Sequence, residues 1–106
     1  MKLSVILLHA GLLFSCSSGL RHAEIRVSGN CDMCKETIEG ALKAEGIKKA
    51  SWDPDTKMLE LDFDSRKLSL QEIRRKIAAA GYDTDSLKAD EKAYSKLHEC
   101  CHYREN

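Results

Sequence analysis

The sequence lacks a net charge and any recognisable catalytic set of residues. Seventeen basic and seventeen acidic residues are interspersed along 106 residues, a pattern typical neither of a nucleic-acid-binding surface nor of an acidic tail. No Ser-His-Asp set, carboxylate dyad or phosphate-binding glycine loop can be read from the sequence, so hydrolase and kinase chemistry have no candidate residues. We therefore expect one small domain that is a binding protein rather than an enzyme, with no nucleic acid as partner.

An apolar run long enough to span a bilayer is also lacking. The run at the N-terminus, Leu3 to Phe14, has about a dozen residues, fewer than the roughly 20 that a membrane-spanning helix needs. Lys2 precedes it and small residues follow, which is typical of a secretory signal over residues 1–19. The end of the run, up to Cys16, is also similar to a bacterial lipobox, in which the cysteine is lipid-modified. We therefore expect an exported protein, periplasmic or anchored to a membrane through lipid on Cys16, with cleavage after Gly19 as the alternative.

Cysteine is more abundant than a signal segment explains. With Cys16 lipidated or cleaved away, four of the five cysteines are left, as two local pairs: Cys31 with Cys34, and Cys100 with Cys101. A disulfide within either pair would close a very small loop and restrain the unfolded chain little, and a bridge between adjacent residues is strained. Disulfides between the two pairs stay open as an alternative in an exported protein.

The pair Cys31 and Cys34 lies where a short apolar strand gives way to an amphipathic helix. At a helix N-terminus the pKa of such thiols falls, and the thiolate is both metal ligand and nucleophile. Two thiolates suit Cu(I), Hg(II) or Zn(II), although zinc prefers four ligands. Between them, Asp32 is expected to cap the helix and Met33 to contact a partner or pack. The alternatives are an oxygen ligand at Asp32 and a soft ligand at Met33. The pair predicts either metal carriage or dithiol redox chemistry.

The apolar periodicity predicts a β-α-β-β-α-β order. The predicted elements are a strand at 23–27, a helix at 32–45, a hairpin of strands at 47–52 and 58–63, a helix at 69–80 and a weaker strand at 84–88. Ser69 and Glu72 form a capping box at the start of the second helix. The fold class is therefore α+β: a ferredoxin-like sandwich with two helices on one face of an antiparallel sheet. A short helix at 90–97 and a polar tail follow.

Residues 22–88 resemble the heavy-metal-associated domain, the family of copper metallochaperones, of modules in copper and zinc pumps, and of periplasmic mercury-binding proteins. Besides the Cys-x-x-Cys loop, the segments 38–42 and 77–82 match the first helix of that family and its second helix with the following Gly-Tyr. The resemblance implies that Cys31 and Cys34 are the metal ligands and that Tyr82 lies close to the metal, where it shields the site from water or bonds to a thiolate. The alternative is that Tyr82 only covers the edge of the core. The family usually has Met where this chain has Gly29, so we expect a less tethered loop.

The resemblance implies a function in metal transfer. A monomer would bind a heavy-metal ion, Cu(I) in the first place and Hg(II) or Zn(II) otherwise, and pass it to a metal-transporting or metal-accepting protein. The alternatives are a thiol-disulfide oxidoreductase, with Cys31 as nucleophile and Cys34 as resolving thiol, and a structural lipoprotein domain stapled by disulfides.

The C-terminal extension, residues 89–106, lies outside the resemblance. It contains Cys100 and Cys101 between two histidines, and cysteine and histidine clustered in a short tract indicate metal binding. Our hypothesis is that this tail folds back and offers Cys100 or Cys101 to a metal held by Cys31 and Cys34. The alternative is a disordered tail, with His98 and His102 solvated.

Overall fold

The computed structural model describes residues 19–105. Three strands and two main helices are followed by a short helix and one turn of 3₁₀-helix. In chain order they are β1 (Leu20–Arg26), α1 (Asp32–Ala41), β2 (Ile47–Trp52), β3 (Met58–Asp64), α2 (Leu70–Ala79), α3 (Glu91–Ser95) and the 3₁₀ turn Glu99–Cys101. The sheet is antiparallel with the order β1-β3-β2, and the predicted α+β ferredoxin-like class is confirmed. In the part of the chain from 19 to 105, none of the helices combines the length and the apolar character of a membrane span.

The central strand β3 carries the core. Leu61 pairs with Ala23 of β1 on one side and with Ala50 of β2 on the other. Alternation along β3 buries Leu59, Leu61 and Phe63, as expected for a strand with one face against helices. The helices add their apolar stripes to the same core; their buried members include Ile38 and Leu42 near α1 and Ile73 and Ile77 in α2.

The helix starts follow local side-chain chemistry. The predicted capping box is present at α2, where the Glu72 N–H donates to Ser69 Oγ at 3.1 Å and the Ser69 N–H donates to Glu72 Oε1 at 2.8 Å. The prediction that Asp32 caps α1 is wrong. Asp32 is the first helical residue, and Cys31 occupies the cap position without a side-chain hydrogen bond. Helix α1 also ends at Ala41, earlier than its predicted end at 45.

The predicted fourth strand at 84–88 is reduced to a single antiparallel bridge between Val27 and Thr84. The chain turns there instead: the Thr84 N–H donates to the Leu87 carbonyl at 2.8 Å, and the Leu87 N–H donates to Thr84 Oγ1 at 3.1 Å. Hydroxyl and carboxylate side chains offer the backbone such local partners, which compete with a sheet ladder.

The C-terminal extension is folded, which overturns the disordered-tail alternative for residues 89–105. Asp90 caps α3 by accepting a hydrogen bond from the Ala93 N–H at 2.9 Å. The predicted helix at 90–97 is thus present in shortened form. Beyond it the 3₁₀ turn packs against α1, and Cys101 is buried within the main core. The tail therefore returns to the same end of the domain as the Cys-x-x-Cys loop.

Candidate metal centre

The Cys-x-x-Cys loop lies between β1 and α1. Cys31 is partly exposed, whereas Cys34 lies in the first turn of α1 and is fully buried. Their sulfurs are 3.8 Å apart, and the Asn30 N–H donates to Cys34 Sγ at 3.3 Å. The helix start thus holds two soft ligands side by side, one facing outward and one inward.

The loop rests on Trp52, the last residue of β2. A methyl group added at Gly29 would lie 2.9 Å from the Trp52 ring and 3.3 Å from Cys34 Cβ, so glycine allows the ring to lie directly under the loop. Trp52 Nε1 donates to the Val27 carbonyl at 3.0 Å, and Lys57 Nζ donates to the Gly29 carbonyl at 2.7 Å. The expectation that Gly29 leaves the loop less tethered is therefore wrong, because the indole ring of Trp52 packs beneath the loop.

The tail brings two further sulfurs to the loop. Cys100 Sγ lies 3.2 Å from Cys31 Sγ, and Cys101 Sγ lies 2.6 Å from Cys34 Sγ. The sulfurs of Cys31, Cys34 and Cys101 all lie within 4.8 Å of one another, and Cys100 is not part of that group of three. All four of these cysteines are free. The structure thus brings together the four cysteines that the sequence singles out, as an inner pair, Cys34 and Cys101, and an outer pair, Cys31 and Cys100.

Polar contacts dock the tail. Tyr103 Oη donates to the Gly81 carbonyl at 2.9 Å and accepts from the Asp83 N–H at 2.9 Å. Arg104 forms two hydrogen bonds to the Asp83 carboxylate, at 2.8 and 3.2 Å, and Asn30 Nδ2 donates to the Cys100 carbonyl at 3.0 Å. These contacts fix the position of Cys100 and Cys101 over the loop.

The pKa values of three thiols in the cluster are shifted in different directions by their surroundings. Burial by itself raises the pKa of Cys31. Hydrogen bonds from the Cys100 thiol and from the N–H groups of Cys34 and Met33 outweigh that effect and lower the pKa to about 7. At Cys101 burial raises the pKa, and the neighbouring Cys34 adds to that effect. The pKa of Cys100 is raised chiefly by its contact with Cys31. Of these three thiols, Cys31 therefore forms a thiolate most easily.

Tyr82 lies behind the inner pair. It is fully buried, and its hydroxyl has no hydrogen-bond partner of good geometry among residues 19–105. Burial raises its pKa well above the usual range, with Cys101 and Cys34 contributing in the same direction. A buried hydroxyl that is not otherwise bonded can donate to a metal-bound sulfur, in keeping with the position that the resemblance implies for it.

Trp52 is a contributor that the sequence does not identify, and Met33 is one that the sequence offers only as an alternative soft ligand. Met33 Sδ lies 3.7 Å from Cys100 Sγ, and 44% of Met33 is exposed. The position of Met33 inside Cys-x-x-Cys indicates a place near the site, but its proximity to the tail cannot be predicted from the spacing.

Neither tail histidine joins the sulfur group. His98 Nδ1 accepts a hydrogen bond from the Cys100 N–H, and His102 stacks on Tyr94.

The donor set fits a soft metal ion. Metal–sulfur bonds of about 2.3 Å place the ligands of one ion no more than about 4.6 Å apart, which the group of Cys31, Cys34 and Cys101 satisfies with small adjustments. Thiolate and thioether ligands select Cu(I), zinc and similar ions over hard cations. The arrangement offers three thiolates to one ion, with a fourth thiolate and a thioether at the rim.

Comparison with known proteins agrees with this geometry. The model of the heavy-metal-associated domain family matches residues 24–83. The copper chaperone CopZ of Staphylococcus haemolyticus is 34% identical over 61 residues, covering 56% of this chain and 90% of that protein. A zinc-transporting ATPase of Synechocystis sp. is 37% identical over 68 residues, covering 62% of this chain and 9% of the ATPase.

A solved structure shares the fold. The putative copper-ion-binding protein of Bacillus anthracis superposes with a TM-score of 0.61 at 25% identity, over 65% of this chain and all of that protein (100%). The prediction that the chain is a binding protein rather than an enzyme agrees with the copper chaperone among its relatives. The chain therefore belongs to the heavy-metal-associated domain family and binds heavy-metal ions through that domain.

Proposed function

We propose that the protein captures a soft monovalent ion, Cu(I), at Cys31, Cys34 and Cys101 and passes it to a metal-accepting or metal-transporting protein. The observation that carries the proposal is the group of three sulfurs within 4.8 Å. A three-thiolate set suits Cu(I), whereas zinc prefers a fourth ligand. The copper chaperone and the copper-ion-binding protein among the relatives support copper, and the zinc-transporting ATPase keeps zinc as the alternative.

Transfer would proceed by ligand exchange from the outer side. Cys34 and Cys101 are buried, but Cys31 and Cys100 are partly exposed, so a partner's thiolate can reach the ion only from their side. The incoming thiolate bonds to the metal before an outer thiolate leaves, and the displaced sulfur takes up a proton from solvent. We expect a monomer to act in this way, with Tyr82 bonding to an inner thiolate.

The location of this activity is a separate part of the proposal. The signal-like segment at 1–19, except for Gly19, and the lipobox-like run before Cys16 lie outside the described residues. Their sequence favours export to the periplasm or a lipid anchor on the membrane. An exported carrier would meet metal ions before they reach a transporter in the membrane.

The oxidoreductase alternative has less geometric support. It needs Cys34 to resolve a mixed disulfide on Cys31, yet Cys31 lies nearer to Cys100 (3.2 Å) than to Cys34 (3.8 Å). Cys34 is itself closest to Cys101, at 2.6 Å. The contacts join the loop to the tail rather than the two loop thiols to each other. The same contacts keep disulfides between loop and tail as the competing oxidised state.

The test is an anaerobic titration of the reduced full chain with Cu(I), Zn(II) and Hg(II) in competition with a chromogenic chelator. We expect tight uptake of a first equivalent, strongest for Cu(I), that is lost in the double variant Cys31→Ser, Cys34→Ser. Cys16→Ser is the matched control and should leave uptake unchanged. Absence of tight uptake, or equal uptake by the double variant, would overturn the proposal in favour of redox or structural thiols.

A further inference from the structure

A second cluster of soft donors lies at the outer edge of the first. Cys100 does not belong to the group formed by Cys31, Cys34 and Cys101, but its sulfur lies 3.2 Å from Cys31 Sγ. On its other side it lies 3.7 Å from Met33 Sδ. Three sulfurs thus follow one another along the rim, and only Cys31 is shared with the inner group.

Met33 is not part of the hydrophobic core. With Leu20, it is one of the two large apolar side chains that are exposed in the described part of the chain, at 44%. An exposed thioether beside a thiol is a soft donor set, since methionine and cysteine both select Cu(I). The tail reaches this place only because its docking contacts hold Cys100 over the loop.

We infer that the rim sulfurs of Cys31, Cys100 and Met33 form a second soft-metal site, so that the chain holds two monovalent d¹⁰ ions such as Cu(I), with Cys31 bridging them. This rests on the proposed function, because the bridging thiolate belongs to the inner site. The second ion bonds to the Cys100 thiolate and the Met33 thioether, and the thiol proton of Cys100 is released to solvent.

The net charge of the cluster does not oppose the second ion. One monovalent ion among three thiolates leaves the inner group with net negative charge in a largely buried place, which is costly. The second ion brings one positive charge and the released Cys100 proton takes one away, so the net charge of the cluster does not change. The second cation lies next to the bridging Cys31 thiolate, and close opposite charges attract strongly where water is excluded. Solvent and a partner reach the rim site before the rest of the cluster, so the inner ion also enters and leaves through the rim site.

The first test counts Cu(I) ions bound by the reduced full chain in anaerobic competition with a chromogenic chelator. Wild type is expected to take up two equivalents. Cys100→Ser should take up one, and Met33→Leu should bind the second about tenfold more weakly, the lower end of what loss of a supporting group at a metal site costs. Met58→Leu is the matched control, because it removes a thioether outside the cluster.

A second readout is the Met33 methyl resonance in a chain labelled with [methyl-¹³C]methionine. We expect it to shift on addition of the second equivalent, while Met58 serves as an internal reference. Uptake of one equivalent only, two equivalents in Cys100→Ser, or an unmoved Met33 signal would each overturn the second site. Loss of all uptake in wild type would instead overturn the proposed function, so the two failures are distinguishable.

Discussion

The two segments that supply sulfur to the cluster are held in different ways. The Cys-x-x-Cys loop rests on the buried ring of Trp52 and on the start of α1, so its support is apolar and part of the main core. The tail inserts Cys101 into the core, but it is docked chiefly by a tyrosine hydroxyl and by an ion pair, Tyr103 and Arg104, near the surface. Elements held by a few polar contacts open locally at lower free energy than the core. We therefore expect the loop to open only when the whole domain unfolds, and the tail to open over it at lower free energy.

The largest effect is expected from breaking the support of the loop. Trp52→Ala removes a fully buried indole and its hydrogen bond to the Val27 carbonyl, and such truncations cost about 3–5 kcal/mol. Urea denaturation followed by far-UV circular dichroism measures the loss, and the affinity for the first metal equivalent should fall with it. Trp52→Phe, which keeps an aromatic ring, should lose less. A loss under about 1 kcal/mol for the alanine variant would contradict the assignment of Trp52 as the base of the site.

A smaller effect is expected from breaking the support of the tail. Tyr103→Phe leaves the Gly81 carbonyl and the Asp83 N–H without their partner, and unsatisfied groups of this kind cost about 1–3 kcal/mol. Amide hydrogen exchange should accelerate across residues 97–105 and little in β3, and iodoacetamide should reach Cys101 faster. Ser95→Ala, whose hydroxyl bonds within α3, is the control. Equal acceleration in the sheet would mean that the tail does not open independently.

The sequence predicts the elements whose determinants are local. Strand alternation in β3, the capping box of α2 and the cysteine pair before α1 each depend on residues a few positions apart. Residues this close in sequence lie near one another in any compact form of the chain, so the elements predicted from the pattern agree with the structure. The same reasoning fails at 84–88, where a local turn through Thr84 competes successfully with the ladder.

The contacts that complete the site follow from the sequence only as the hypothesis that the tail folds back over the loop. Cys34 and Cys101 are 67 positions apart, and Cys31 and Cys100 are 69 apart, so only the folded tail brings them together. The close approach of Trp52 to Gly29 likewise has no local signature. Residue types in the tail indicate metal binding, but the division into inner and outer sulfurs follows from tertiary packing.

The smallest effect is expected from titrating the tail's ion pair. Hydrogen bonds from Arg104 lower the pKa of Asp83, against the raising effect of burial, and Lys88 contributes in the lowering direction. In the unfolded chain an aspartate titrates at about 3.9. Because the folded value is lower, the pair stabilises the docked tail above that pH, and its contribution is lost as the pH falls through the folded value. The pair is near the surface, so the contribution is about 1 kcal/mol or less.

The measurement is amide exchange in the tail between about pH 5 and the acid limit of the folded sheet, corrected for intrinsic exchange. Protection of residues 97–105 should fall with acid before that of β3. Arg104→Gln removes the charge that lowers the pKa of Asp83, so its tail should be less protected at pH 5 and nearly insensitive to further acid. If the variant kept the wild-type acid dependence, another carboxylate would govern docking, with Glu91, which also bonds to Arg104, as the next candidate. A tail that loosens in acid while the loop stays folded would show that the two sulfur-bearing segments are separable, because only one of them depends on a surface ion pair.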